Sequence, residues 1–190
     1  MTKSVPVGVS ARHIHLSQEH VEALFGPGYE LTEFKPLSQP GQYAANETVA
    51  VKGAKGSFPK VRILGPARKA TQLEISRTDA FAIGVNAPVR ESGNIAGSAG
   101  ITITGPAGEV TIEEGVIVAA RHIHFHTSDA ANWGIEDQQL LKVRVGGERG
   151  VVFENVVARV HETFALDMHI DTDEANAAGV KNGDTAEVIG

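Results

Sequence analysis

A chain of 190 residues with 42% hydrophobic content can build one domain or two small ones without cross-links. It contains no cysteine, which excludes disulfides, iron–sulfur clusters, thiolate zinc and a cysteine nucleophile, and leaves histidine and carboxylate as the strong metal ligands. The net charge of −6 comes without a basic run, and no apolar segment approaches the ~18 residues of a spanning helix, so neither nucleic acid nor membrane is an expected partner.

The chain is expected to enter a strand almost at once. Val5-Pro6-Val7 leads through Val9 and Ala11 to Arg12-His13-Ile14-His15. Side chains alternate along a strand, so His13 and His15 share one face and Ile14 takes the other. Ser17-Gln18-Glu19, running to Gly26, has the form of a short helix carrying His20. Residues 48–51, 61–64, 101–104, 110–112, 115–118, 141–145 and 151–153 then form short runs rich in apolar and β-branched residues, several of them alternating, broken by glycine in the manner of strands. Glycine-rich turns at 53–56, 105–108 and Gly146-Gly147 point to antiparallel hairpins, and the sheets are expected to close into barrels.

Between the strands a helical unit recurs: a Ser or Thr cap, an acid in the first turn, alanine-rich sequence, then glycine. Thr78-Asp79-Ala80 runs to Gly84, Ser128-Asp129-Ala130 to Gly134, and Thr172-Asp173-Glu174 to Gly179. A hydroxyl accepts from the open amides, an acid suits the positive end of the dipole, and glycine permits a left-handed exit. Asn182-Gly183-Asp184 reads as the turn before a last strand at 186–189.

Arg121-His122-Ile123-His124 repeats the first tetrapeptide, and the two copies hold half of the eight histidines. Val7, Val9 and Ala11 align with Val116, Val118 and Ala120 at the same offset, so two related halves are expected. Each copy is a two-imidazole clamp suited to a borderline-soft divalent ion such as zinc; two clamps imply two ions or one shared ion. His169, in a strand-like segment with Asp167 and Asp171, is the expected third ligand for one of them, with its polar neighbours able to hold it from behind. Glu74 alternates onto one face with Gln72 and Ser76, where an exposed strand glutamate is the blander reading. Arg12 and Arg121 suit a salt bridge as well as a substrate contact. Arg68, after a Gly-Pro turn, is the best local cation for an anion, although an exposed basic turn has the same spelling. His20, His126 and His161 are weaker ligand candidates, and Asp173-Glu174 reads as helix capping.

Several long segments together resemble the PduL-type phosphate acyltransferases, the phosphate propanoyltransferases. They are 7–17, Gln39-Pro40-Gly41-Gln42-Tyr43-Ala44-Ala45, Leu64-Gly65-Pro66-Ala67-Arg68, Glu74-Ile75-Ser76-Arg77-Thr78-Asp79-Ala80, the second Arg-His-Ile-His, and Met168-His169-Ile170-Asp171 with the helix after it. The resemblance implies a mainly β protein of two antiparallel β-barrel domains capped by short helices. One domain is discontinuous, residues 1–11 with 120–190; the other is the inserted stretch 12–119, with the active site between them. It also implies two zinc ions per chain, with CoA as substrate and product, and exchange of acyl-CoA plus phosphate for acyl phosphate plus CoA. By motif, His13, His15 and Glu74 hold one zinc and His122, His124 and His169 the other. Arg68 holds phosphate as the catalytic cation. Gln39, Gln42, Gln72, Ser92 and Arg159 are further substrate-binding residues, and Phe81 touches the CoA nucleotide across a homodimer contact. Microcompartment members carry an N-terminal encapsulation peptide that is not seen here, so a free cytoplasmic enzyme is expected, with acetyl-CoA as credible a substrate as propanoyl-CoA. A dinuclear zinc hydrolase and a non-catalytic metal-binding module are the competing classes.

Overall fold

The computed structural model describes residues 3–190, and alternation has become strands throughout them. In chain order they are β1 (Ser4–Ser10), β2 (His13–His15), α1 (Gln18–Phe25), β3 (Glu33–Pro36), β4 (Tyr43–Lys52), β5 (Ser57–Gly65), β6 (Gln72–Glu74), α2 (Arg77–Ile83) and β7 (Val89–Arg90). There follow β8 (Ala99–Thr104), β9 (Glu109–Ala119), β10 (His122–Phe125), α3 (Thr127–Trp133), β11 (Leu140–Val145), β12 (Val151–Val160), β13 (Asp167–Asp171), α4 (Thr172–Ala178) and β14 (Thr185–Val188). The protein is mainly β, and no helix among the described residues is long and apolar enough to cross a membrane.

The chain divides into two compact units. One comprises Met1–Ser10, Ser38–Pro40 and Ala120–Gly190; the other comprises Ala11–Leu37 and Gly41–Ala119. In the first, six strands close a barrel in the order β1-β13-β10-β12-β11-β14. In the second, the pairings β9-β6-β2-β5-β4-β8, with β8 returning to β9, close a ring of the same kind, and β3 and β7 lie beside β4 and β9. The glycine turns make the antiparallel hairpins β4/β5, β8/β9 and β11/β12. Each ring also contains two parallel pairs, β2/β5 with β6/β9 and β10/β12 with β1/β13, each joining strands that no tight turn connects.

Three helices start earlier than their spelling suggests. Ser17 caps α1 as expected, but Ser76, His126 and Asp171 cap α2, α3 and α4 in place of Thr78, Ser128 and Thr172. Each of these earlier residues sits in extended backbone with its side chain accepting an amide two or three residues on, so the helix is already open when the hydroxyl residue is reached. Asp171 and Glu174 complete a capping box.

Each unit has its own apolar core. Ile14, Leu16, Val51, Val61, Ile63, Leu73 and Ile103 fill one; Val5, Ile123, Phe125, Leu141, Val143, Val156 and Met168 fill the other. Ile14 and Ile123, the middle residues of the two clamps, are both fully buried. Each pins its strand by an apolar side chain between two histidines, so the clamp cannot rotate without exposing isoleucine. Truncating Ile123→Ala is expected to cost about 2–5 kcal/mol of unfolding free energy in urea titration; a loss below about 1 kcal/mol would show that this anchor does not hold the strand.

Candidate metal centres

The first cluster is assembled by strand register. β2 lies between β5, parallel, and β6, antiparallel, with His13 opposite Glu74 and His15 opposite Gln72. His13, His15 and Glu74 are all buried, and one candidate ligand atom from each lies within 4.8 Å of the others. His13 Nδ1 is 2.9 Å from the Ala11 carbonyl, and His15 Nδ1 is 3.2 Å from that of Leu64. A carbonyl only accepts, so these nitrogens carry the hydrogens and Nε2 of each ring keeps its lone pair. His13 Nε2 then faces Glu74 Oε2 at 3.5 Å, a contact that a proton on the ring satisfies in metal-free protein and that a metal ion could take over. The donor set, two imidazoles fixed from behind and one carboxylate, fits a zinc-like ion.

The other oxygen of Glu74 is engaged by the protein. Oε1 accepts from Gln72 Nε2 at 2.6 Å and from Ser92 Oγ at 2.9 Å. Gln72 is itself fixed, because its Oε1 accepts from the Gly93 amide at 2.7 Å. Arg68 donates to Ser92 Oγ at 3.3 Å and to Gln42 Oε1 at 3.5 Å, and its amide is tied to the Leu16 carbonyl at 2.8 Å. Arg68, Gln42, Gln72, Ser92 and Glu74 thus form one connected polar group beside the clamp.

The second cluster repeats the plan. β10 lies between β12, parallel, and β13, antiparallel, with His122 opposite His169. His122, His124 and His169 again offer ligand atoms within 4.8 Å of one another. His122 Nδ1 sits 2.8 Å from the Ala120 carbonyl, the same i−2 contact that His13 makes. Asp167 Oδ2 lies 3.0 Å from His169 Nε2. Phe164 packs edge-on to His124 with ring centroids 4.4 Å apart, and Arg159 lies over Phe164 at 5.7 Å.

The correspondence extends past the ligands. Phe58 and Phe153, Gln72 and Asp167, Glu74 and His169, Asp79 and Glu174, and Gly84 and Gly179 are each separated by the same number of residues. Arg12 pairs with Asp79 at 2.5 Å and lies over Phe58; Arg121 pairs with Glu174 at 2.8 Å and lies over Phe153. The repeated arginines therefore bind the helix that follows the third ligand. The clamps alone signalled none of these partners, although the constant spacing would have exposed them.

Other sequence candidates fall elsewhere. Gln39 is buried and exchanges two hydrogen bonds with the Ala165 backbone, at 2.9 and 3.2 Å. Phe81 is 81% exposed on α2, with Lys55 Nζ 5.8 Å from its ring. His20 bonds Thr71 Oγ1 at 2.7 Å, while His126 and His161 bond Ser128 and Thr163; none of the three joins either cluster.

Comparison with known proteins gives one consistent result. The family model for phosphate propanoyltransferase matches residues 6–181. Relatives bearing that name include one from Thermotoga maritima, 56% identical over 96% of this chain and 88% of its own length. Another, from Lachnoclostridium phytofermentans, is 54% identical over 98% of this chain and 87% of the relative. A third, from Rhodobacter capsulatus, is 55% identical over 94% and 83% respectively.

Protonation of the first cluster sets its pH response. Burial, reinforced by the charges of His13 and Arg68, lowers His15 to about 3, so this ring is neutral and ready to ligate at physiological pH. Burial also pulls His13 down, but the Glu74 carboxylate more than offsets it and leaves His13 raised. Burial pushes Glu74 up, and His13 overrides that, holding the carboxyl well below the usual carboxylate range. In protein stripped of metal, the unfolded chain takes up the His15 proton as pH falls below about 6.5, and stability is lost on that side. Stability from His13 is complete below about 6.5 and is lost as pH rises through its raised value. Stability from Glu74 is present above its unfolded value and is lost at still lower pH. Chelated protein is therefore expected to be most stable near pH 6.5, with an acid limb no steeper than about 1.4 kcal/mol per pH unit per proton. His15→Gln is expected to flatten that limb in denaturation series run from pH 5 to 7; an unchanged slope would assign the limb to other groups.

Proposed function

The chain belongs to the phosphate propanoyltransferase family, and on that premise we propose that it is a zinc-dependent acyltransferase. It exchanges the CoA of a short-chain acyl-CoA, propanoyl-CoA or acetyl-CoA, for inorganic phosphate and yields acyl phosphate. The observation that carries this reading is the Arg68–Ser92–Glu74 chain, which couples a cation suited to phosphate to a buried three-ligand cluster. His13, His15 and Glu74 would hold one ion, and His122, His124 and His169 the other. Zinc, when bound, supplies Lewis acidity toward an acyl oxygen and stabilises a thiol as its anion.

The rest falls to the chain's own side chains. Arg68 presents a planar guanidinium to two phosphate oxygens, and Ser92 and Gln42 hold it by accepting from its N–H groups. A phosphate so held needs no general base, since it is already an oxyanion at neutral pH. Its oxygen forms the new bond to the acyl carbon as the carbon–sulfur bond breaks, and CoA departs as thiolate with the electron pair. Gln72 and Ser92 keep one Glu74 oxygen occupied, which leaves the other as the atom that would meet an ion. The absence of cysteine favours direct transfer over a thioester-linked enzyme. Gln39, Phe81 and Arg159 complete the proposed substrate contacts, and the enzyme is taken as a cytoplasmic homodimer.

A coupled assay with propanoyl-CoA or acetyl-CoA is expected to release CoA and accumulate acyl phosphate only when phosphate is supplied, and to stop on chelation. Thioester loss without phosphate would instead assign a hydrolase. His122→Ala is expected to lose bound zinc and at least about 10–100-fold in activity. Arg68→Ala is expected to raise the KM for phosphate about 10–100-fold, the weight of a charge-assisted hydrogen bond, with a smaller change for the acyl-CoA. Equal loss for both substrates would make Arg68 structural.

A further inference from the structure

The structural repeat places Gln72 and Asp167 at the same position, two residues before Glu74 and His169 and on the same strand face. The two differ in hydrogen-bonding sense as their ligands do. Glu74 is an acceptor, and Gln72 turns its amide N–H toward it at 2.6 Å. Imidazole has a hydrogen to give, and Asp167 meets His169 Nε2 with a carboxylate oxygen at 3.0 Å. We propose that Asp167 is the positioning residue of the second cluster, holding His169 as an Nε2–H imidazole whose Nδ1 is the ligand atom, as Gln72 holds Glu74.

The backbone around the pair is cut to this purpose. Asp167 is buried, and on β1 it is Gly8 that pairs with His169. A Cβ at Gly8 would lie 3.2 Å from Asp167 Oδ2 and 3.2 Å from His169 Cδ2, closer than most real Cβ contacts. The Cδ2–Nε2 edge of the ring therefore faces Gly8 and Asp167, and the absent side chain is what leaves room for the carboxylate and imidazole together. The residue of β9 opposite Glu74 is Ile117, where no such pair has to be accommodated. A carboxylate behind an imidazole fixes the tautomer and increases its strength as a donor. Both clusters thus include one carboxylate: Glu74 in contact with its ion, Asp167 acting through a ring.

This inference rests on the metal reading of the two clusters, and the test separates them. Zinc stoichiometry and affinity are measured by competition with a chromogenic chelator for the full chain and for Asp167→Asn, Gly8→Ala and His169→Ala. Asp167→Asn is expected to weaken one of the two ions about 10–100-fold and leave the other unchanged. Gly8→Ala, which removes no polar group, is expected to weaken the same ion. Wild-type affinity in Asp167→Asn, with one ion lost in His169→Ala, would overturn the positioning role and leave the metal reading standing. No zinc in the wild-type protein would overturn both. Should Asp167→Asn fail to fold, the imidazole nitrogen spectrum of chelated wild-type protein decides the matter. An Nε2–H tautomer at His169 is the expected result, and an Nδ1–H tautomer overturns the proposal.

Discussion

Direct opposition of residues across an antiparallel pair is the constraint on which both clusters depend. Two residues facing each other across such a ladder hold their Cβ atoms about 4.5–5.5 Å apart, which brings a third side chain within reach of a clamp whose two rings already share a face. His13 faces Glu74 on β6, and His122 faces His169 on β13. A slip of one residue would turn Leu73 or Met168 toward the histidines and send the ligand into the apolar core. Ile14 and Ile123 resist that slip from the other side of their strands, since each is buried in the core of its own unit. Packing thus fixes register, and register gathers the donors.

Connectivity tightens the same constraint. The strand that leads into each clamp belongs to the barrel of the other. β1 precedes the first clamp but pairs with β13 in the ring of the second; β9 precedes the second clamp but pairs with β6 in the ring of the first. Each third-ligand strand is therefore held on one edge by a clamp and on the other by a strand from the opposite half of the sequence. Neither half can close a six-strand ring from its own residues. Non-local pairing of this kind is slow to form, but it leaves the ligand-bearing strands β6 and β13 in ring interiors, with none of their ladder groups on an open edge.

Much of this was legible in the sequence because periodicity and turn chemistry are local. Alternation at 61–64 and 141–145, and the glycines at 53–56 and 105–108, lie in the strands and hairpins they imply. The histidine clamps were visible for the same reason: His-x-His on a strand shares a face whatever surrounds it. What was not legible depends on partners far along the chain. The parallel pairs of β2 and β10 carry no local mark. Glu74 in isolation is spelled like an exposed strand glutamate, and only the β2–β6 pairing buries it beside His13. The caps moved because Ser76, His126 and Asp171 can each accept from an amide while extended, a competition between neighbouring side chains that composition alone does not decide. Arg12 and Arg121 are ambiguous in sequence because the carboxylates that pair with them, Asp79 and Glu174, lie far along the chain.

The burial of so much charge has to be justified by what it does, because a buried carboxylate or imidazolium is costly to desolvate unless an opposite charge meets it. In a chain of net charge −6, an anionic substrate is repelled at long range and must be bound by local positive charge. On the proposed reading each cluster supplies one carboxylate to a divalent ion, directly through Glu74 or through His169 backed by Asp167, and so retains about one positive charge per site. Arg68 adds another, and Ser92 bridges it to Glu74, donating to the carboxylate and accepting from the arginine. The hydroxyl between them links the two groups by hydrogen bonds, so on the proposed reading a phosphate dianion and a departing thiolate would be met by Arg68 and the divalent ions acting together.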